Sequence, residues 1–216
     1  MERIGKFQRD EVSAFYAVLF VGTFAIVWES RDYFLPGRVH GFMMERIELS
    51  AENWWRYFLV AHVAGGLVCL CSSLLQYSKL LLKRAPGIHR YLGRIYALSI
   101  ITLVFPTGVA LAFVAKGGTN GTIGFLLLSF ATLGFLLLGM VAIYKKNLRS
   151  HQKWISRSFA LVTSAITFRT LQIAFSQFHL DPDRVYQIAL WLSIAVNLTL
   201  CEYYLLKTER RTNRTQ

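Results

Sequence analysis

His62 and Arg169 are basic residues set inside stretches that are otherwise apolar enough to cross a bilayer. A cation at such depth is costly unless something pairs with it or uses it, so these two are the first candidates for chemistry. Two cations brought close hold an imidazole neutral, free to accept a hydrogen bond or ligate a metal. A guanidinium stays charged and needs an anion, carbonyl oxygens or a water-filled cavity. No Asp or Glu lies at matching depth in any apolar run; Glu202, the nearest, falls near the end of the last one. The absent counter-ion points to an anionic group from outside the chain, such as a haem propionate, a quinone oxygen or a substrate carboxylate. Packing offers the competing account, with Arg169 capped by Gln172, Asn197 and backbone carbonyls.

A second constellation lies in PGIHRYLGRIY, from Pro86, and SHQKWISRSF, from Ser150. Each places a histidine in the first turn of a helix and an arginine five or six residues later: His89 with Arg94, His151 with Arg157, flanked by Arg90 and Trp154. Neutral imidazoles suit a haem iron, and protonated ones suit a phosphate-rich headgroup. His62, His89 and His151 are therefore the candidate ligands of a b-type haem. His62 would need His40, His179 or an open position opposite it. The plainer reading is a basic collar at the membrane surface, with Glu202 paired to Arg157. Hydrolytic chemistry is disfavoured, because no intramembrane Ser-His-Asp set, HExxH or paired aspartates occur.

The elements that must position these residues follow from composition. A chain of 216 residues that is 54% hydrophobic and 17% charged, with mean hydropathy +0.40, is too apolar for an ordinary soluble domain. Its apolar residues fall into six runs, roughly 12–28, 56–77, 95–115, 123–144, 158–178 and 187–206. Each is near the ~20 residues that a helix needs to span hydrocarbon. The runs are apolar nearly all round, TIGFLLLSFATLGFLLLGMVAIY most clearly, where a soluble core helix would show a polar stripe. The pattern predicts an all-α, polytopic membrane bundle of six spans, forming one transmembrane domain over 1–216.

Net charge is +12 and the isoelectric point is near 9.9, which in a soluble protein would suggest nucleic acid. Position rules that out. Lys and Arg gather at the start (Arg3, Lys6, Arg9), between spans two and three (Lys79, Lys83, Arg84), between four and five (Lys145, Lys146, Arg149) and at the tail (Lys207, Arg210, Arg211, Arg214). With six spans all four segments share one side, and the other side carries Glu29, Asp32, Glu45, Glu48 and Glu52. The positive-inside rule then places both termini in the cytoplasm, with the basic segments against anionic headgroups of an inner membrane.

Polar residues on spans two and five recur at steps of three or four: His62, Gly66, Cys69, Ser73 and Gln76 on one, Ser158, Ala165, Arg169, Gln172 and Ser176 on the other. His62 lies about six residues and Arg169 about nine from the outer ends of their spans, a depth at which they can face one another. Pro106 should kink the third span, and ERIELSAENWWR can form a surface helix that lids an outward pocket. Cys69 and Cys71 splay by ~200° on a helix, so they read as packing residues. The hairpins of spans two–three and four–five look like a weak parallel repeat about an axis along the membrane normal.

AHVAGGLVCLCSSLLQ, APGIHRYLGRIY, SHQKWISRSFALVTSAITFR and NLTLCEYY resemble, in order and spacing, the predicted bacterial membrane proteins grouped as domain-of-unknown-function family 2306, over roughly residues 55–205. The resemblance implies a multi-helix inner-membrane protein with characteristic positions at His62, Gln76, His89, Arg90, Gly93, Arg94, Tyr96, His151, Trp154, Arg157, Arg169 and Glu202. Where the family carries HxxWM, this chain has Ile155 in place of the methionine, a swap of similar volume. Three functions stay open. The first is a membrane redox protein holding b-type haem or quinone; the second is a small carrier or binding protein for an anionic or lipid-like small molecule. The third is a non-catalytic assembly subunit whose polar stripes serve helix packing.

Overall fold

The structure is a computed structural model that describes the backbone of residues 2–35, 42–76 and 79–212, and the side chains of 16–35, 42–76 and 81–210. His40, and the side chains of Arg3, Lys6, Arg9, Lys79, Arg211 and Arg214, lie outside the described residues. The described residues are helical almost throughout, with no strand among them. Contacts divide the chain into two compact units, Met1–Ser99 and Ile100–Gln216.

The first unit opens with α1 (Glu2–Ser30), which carries the first apolar run, and a single 3-10 turn at Arg31–Phe34. Two short helices follow, α2 (Phe42–Glu45) and α3 (Ile47–Ser50), in place of the one surface helix expected there. Met43 is wholly buried, the Phe42 ring lies 6.2 Å from that of Trp55, and the Phe42 N–H donates to the Tyr33 hydroxyl at 3.1 Å. Phe42 and Met43 are therefore packed down, as their apolar side chains require. Next come α4 (Asn53–Gln76), α5 (Lys79–Arg84) and α6 (Pro86–Ser99). The Ala85 carbonyl accepts from the His89 N–H at 3.2 Å, so Pro86 begins the helix where its missing N–H costs nothing.

The second unit begins with a π-turn at Ile100–Val104 and continues through α7 (Phe105–Ala112), α8 (Gly118–Tyr144), α9 (Leu148–Ser176) and α10 (Pro182–Thr212). The π-turn stands just ahead of Pro106, which has no N–H to give the preceding turn, and the Thr107 hydroxyl donates to the Leu103 carbonyl at 2.5 Å. Helix α9 starts before Ser150, which the sequence offers as its start signal. Lys146, at φ 58, ends α8, and the Asn147 side chain accepts from the Ser150 N–H at 2.9 Å, so Asn147 is the cap.

Among the described residues, five helical runs are long and apolar enough to cross a membrane: Asn53–Gln76, Pro86–Ala112, Gly118–Tyr144, Leu148–Ser176 and Pro182–Arg210. The protein is thus a helical membrane bundle. One of its helices, α8, buries mostly small residues and turns many large ones outward. In α8 the buried positions are Gly121, Gly124, Thr132, Leu136, Gly139 and Ala142, while Leu127, Phe130, Leu137 and Leu138 are exposed. In lipid this inversion is expected, since hydrocarbon is as apolar as leucine and close backbone approach supplies the attraction.

Both hairpins are stitched antiparallel by polar groups. In the first, Ser99 Oγ donates to the Gly65 carbonyl at 3.0 Å and Gln76 Nε2 to the His89 carbonyl at 2.6 Å. In the second, Ser158 Oγ donates to the Thr132 carbonyl at 3.1 Å, and His151 Nδ1 lies 2.8 Å from the Gly139 carbonyl. The second hairpin depends on Gly139, where an added Cβ would fall 2.6 Å from Ile155 Cδ1 and 3.4 Å from its backbone nitrogen. Gly139→Ala is expected to destabilise by about 1–3 kcal/mol in detergent unfolding, the usual scale of overpacking. Gly66→Ala, whose Cβ meets nothing within 4 Å, should be neutral or stabilising in the same assay.

Candidate functional site

Helix α9 carries most of the candidate residues, and its two halves differ. Its buried positions, Ser156, Ser158, Phe159, Ala160, Leu161, Thr163 and Ser164, all lie at or before Ser164, and the stretch from Ala165 to Ser176 holds none. The polar stripe expected along this span accordingly splits: Ser158 is buried, Arg169 and Gln172 are half-buried, and Ala165 and Ser176 are exposed.

At the first end of α9, Arg157 makes a two-pronged contact with Glu202 of α10, Nε to Oε1 at 2.5 Å and Nη2 to Oε2 at 3.0 Å. The guanidinium also covers the Trp154 ring at 4.6 Å, and that ring stacks on Phe135 at 5.7 Å. Lys153 pairs with Glu209 one step further along the same seam. Arg157, Trp154 and Glu202 thereby bind three helices together, with the fork geometry that suits guanidinium to carboxylate.

His151 stands at the start of this arrangement. Its ring partner is the Gly139 carbonyl, which can only accept, so Nδ1 carries the proton and Nε2 is the nitrogen left to accept or ligate. The two collar histidines are not equivalent. His89 engages α4 through its main-chain carbonyl, with its Nδ1 shielded from solvent, whereas His151 engages α8 through its ring. Arg90 and Arg94, beside His89, are exposed.

Midway along α9 and α10, Asn197 is fully engaged. Its Nδ2 donates to the Ala160 carbonyl at 3.0 Å and lies 3.3 Å from Thr163 Oγ1, and its Oδ1 accepts from Thr167 Oγ1 at 2.7 Å. Asn197 is spent on joining the helices and does not reach Arg169. Thr163 and Thr167, one turn apart on α9, were the sign in the sequence that this asparagine had partners of its own.

Arg169 lies half-buried in the stretch of α9 beyond Ser164, where no residue is fully buried. Among the described residues its one hydrogen bond runs from Nη1 to Gln172 Oε1 at 3.5 Å, at the long limit of such contacts, and no carboxylate meets it. Arg169 belongs to the second unit. In the first unit His62 is half-buried, on the α4 face that also carries buried Cys69 and Ser73, and half-buried Gln76. Cys71 is exposed, as its angular offset from Cys69 demands. His179, the alternative ligand for His62, lies after α9 at φ 52 and is exposed. Among the described residues no three of His, Cys, Asp and Glu come together.

Sequence reasoning missed the Lys153–Glu209 pair and the Gln187 amide, which donates to the Gly117 carbonyl at 2.8 Å. Both join positions distant in sequence that carry no local pattern. Removing one partner of the Arg157–Glu202 pair should be costly and removing both less so, because the penalty is the stranded charge. Arg157→Ala is expected to lower stability by about 1–3 kcal/mol. The doubly apolar Arg157→Met/Glu202→Leu should recover part of that loss in a double-mutant unfolding cycle.

Residues 59–205 match the sequence model of a family described as Predicted membrane protein (DUF2306). No curated protein and no solved structure matches the chain.

Proposed function

From the premise that the chain belongs to this family of predicted membrane proteins, we propose that it binds an anionic, lipid-like ligand inside the membrane, with Arg169 as the anion site and Gln172 beside it. The single observation behind this reading is Arg169 itself, half-buried on a membrane-spanning helix with one long contact to a neutral amide. A guanidinium at the centre of a spanning helix costs about 2.5–3.5 kcal/mol on insertion scales, and one such hydrogen bond does not offset it. A carboxylate or phosphate does, by accepting two parallel N–H bonds from the guanidinium fork. Asn197 and Thr167 are already bonded to one another, and the Thr170 hydroxyl donates to the Ile166 carbonyl.

The protein resides in the inner membrane with both termini cytoplasmic. Support comes from α1 as a sixth crossing added to five apolar runs, and from the basic connections falling on one side of such a chain. The basic side contacts anionic headgroups. Reporter fusions at residues 1 and 216 should both read as cytoplasmic, and a split result would remove one crossing.

A dansyl-labelled fatty acid, titrated into the detergent-purified chain, tests the ligand reading. Saturable binding is expected, weakened about tenfold or more by Arg169→Gln, the loss that goes with a charged hydrogen bond, and less by Arg169→Lys. Equal binding by all three proteins would discard the anion site. His151 supports a second reading, contact with a b-type haem or a quinone. A ring whose Nδ1–H is held by a carbonyl presents Nε2 in the way that metal-ligating histidines do. A reduced-minus-oxidised spectrum with a b-type band lost in His151→Ala would put that reading first.

A further inference from the structure

Helices α6 and α9 each open a membrane-spanning run with a histidine followed by an arginine, yet their cations are treated differently. At the start of α9 they are matched from α10, Arg157 by Glu202 and Lys153 by Glu209. Along α6 no carboxylate plays that part among the described residues. Arg90 and Arg94 are exposed, and among the described residues neither side chain makes a hydrogen bond, an ion pair or a ring contact. Helices α4 and α5, which pack against α6, contain no Asp or Glu.

Arg90 and Arg94 stand one turn apart, so both guanidiniums issue from one face of α6, with Cβ atoms about 6 Å apart. Like charges at that spacing weaken a helix unless an anion lies between them. Gly87, Tyr91 and Leu98 share the same arc. A Cβ added at Gly87 would meet nothing within 4 Å, and Tyr91 and Leu98 are each 63% exposed. The opposite side of the helix, with Tyr96 and Ser99, is the buried one. Lys83 and Arg84, at the end of α5, are exposed as well and extend the positive field toward the start of α6. From Arg94 to Leu98 the helix advances about 6 Å, from the reach of headgroups toward hydrocarbon. Arginine at such a depth lays its stem on apolar surface and keeps its head at the interface.

Two guanidiniums, a tyrosine and then a leucine, all on one exposed arc of a membrane-spanning helix, match a phosphate ester that carries an acyl tail. We propose that Arg90 and Arg94 form a binding site for one anionic phospholipid, each guanidinium donating to its headgroup phosphate and an acyl chain lying along Leu98. In α6 the lipid phosphate takes the part that Glu202 takes in α9, since the guanidinium fork suits phosphate as it suits carboxylate. A zwitterionic headgroup is the poorer occupant, because its ammonium cancels part of the attraction. The proposal rests on the placement of the basic connections against headgroups and narrows it to one defined site. Arg169 has no part in it.

The full chain in detergent micelles is titrated with pyrene-labelled phosphatidylglycerol, once with Arg169 intact and once as Arg169→Gln, so that lipid held at Arg169 is counted separately. Saturable binding should persist in Arg169→Gln. Adding Arg90→Gln/Arg94→Gln to that background is expected to raise the half-saturating lipid concentration about thirtyfold, roughly fivefold for each arginine near the surface. Lys145→Gln/Lys146→Gln, which removes two exposed cations between α8 and α9, should leave it unchanged. Equal losses in the two double variants would mean diffuse attraction to the basic connections, which overturns the site and leaves that broader reading standing. No loss in either overturns both. Labelled phosphatidylcholine should bind more weakly than phosphatidylglycerol, and free glycerol phosphate should not displace the lipid. Equal binding of the two lipids, or displacement by glycerol phosphate, overturns the proposal without recourse to any variant at Arg90 or Arg94.

Discussion

Hydrocarbon offers no hydrogen bonds, and this constraint organises the structure. Every backbone N–H and C=O in a span must be satisfied within the chain, which leaves helices as the form available here. Side-chain polar groups face the same demand and meet it by bonding to the backbone of their own or a neighbouring helix. Ser73, Thr107, Thr132 and Ser164 bond within their own helices, and Ser99 and Ser158 reach across to a partner. The same requirement explains the small residues between helices. Where no hydrophobic force drives association, Gly139 and Gly124 admit Ile155 and Leu190 closely enough for dispersion and hydrogen bonding to hold the seam.

Within that scheme the polar residues divide by whether their demand is met. Arg157 is forked onto Glu202 and stacked on Trp154, and Asn197 is held by two threonines and a carbonyl. These groups give α8, α9 and α10 their register and add rigidity at positions where a membrane protein cannot rely on burial alone. Arg169 and the Nε2 of His151 stand apart from them. The first is held by a single long contact, and the second is freed because its sister nitrogen is fixed. The ligand proposed at Arg169 would take up hydrogen-bonding capacity that the bundle leaves unused.

The helical membrane class and the placing of the polar residues on apolar helices were legible in the chain because each is a local property. An apolar run long enough to cross a bilayer forms a helix whatever surrounds it. The family resemblance likewise rests on local strings, and the match over residues 59–205 agrees with it. Legibility weakened wherever two local signals competed. Ser150 reads as a helix start, but Asn147 holds the cap because Lys146 turns the chain left-handed before it.

The sequence alone determined that this protein is a stack of apolar helices carrying a few expensive polar groups, since length and hydropathy are summed along the chain. It could not tell which of those groups are spent on the fold. Asn197 and Arg169 look alike as intramembrane polar residues, and so do His89 and His151 as helix-start histidines. Only the tertiary structure separated them, through Thr163 and Thr167, through the Gly139 carbonyl, and through the stretch of α9 beyond Ser164 that buries no residue. Whether a polar group is satisfied depends on atoms brought from distant parts of the chain, and that proximity is decided by the packing of helices.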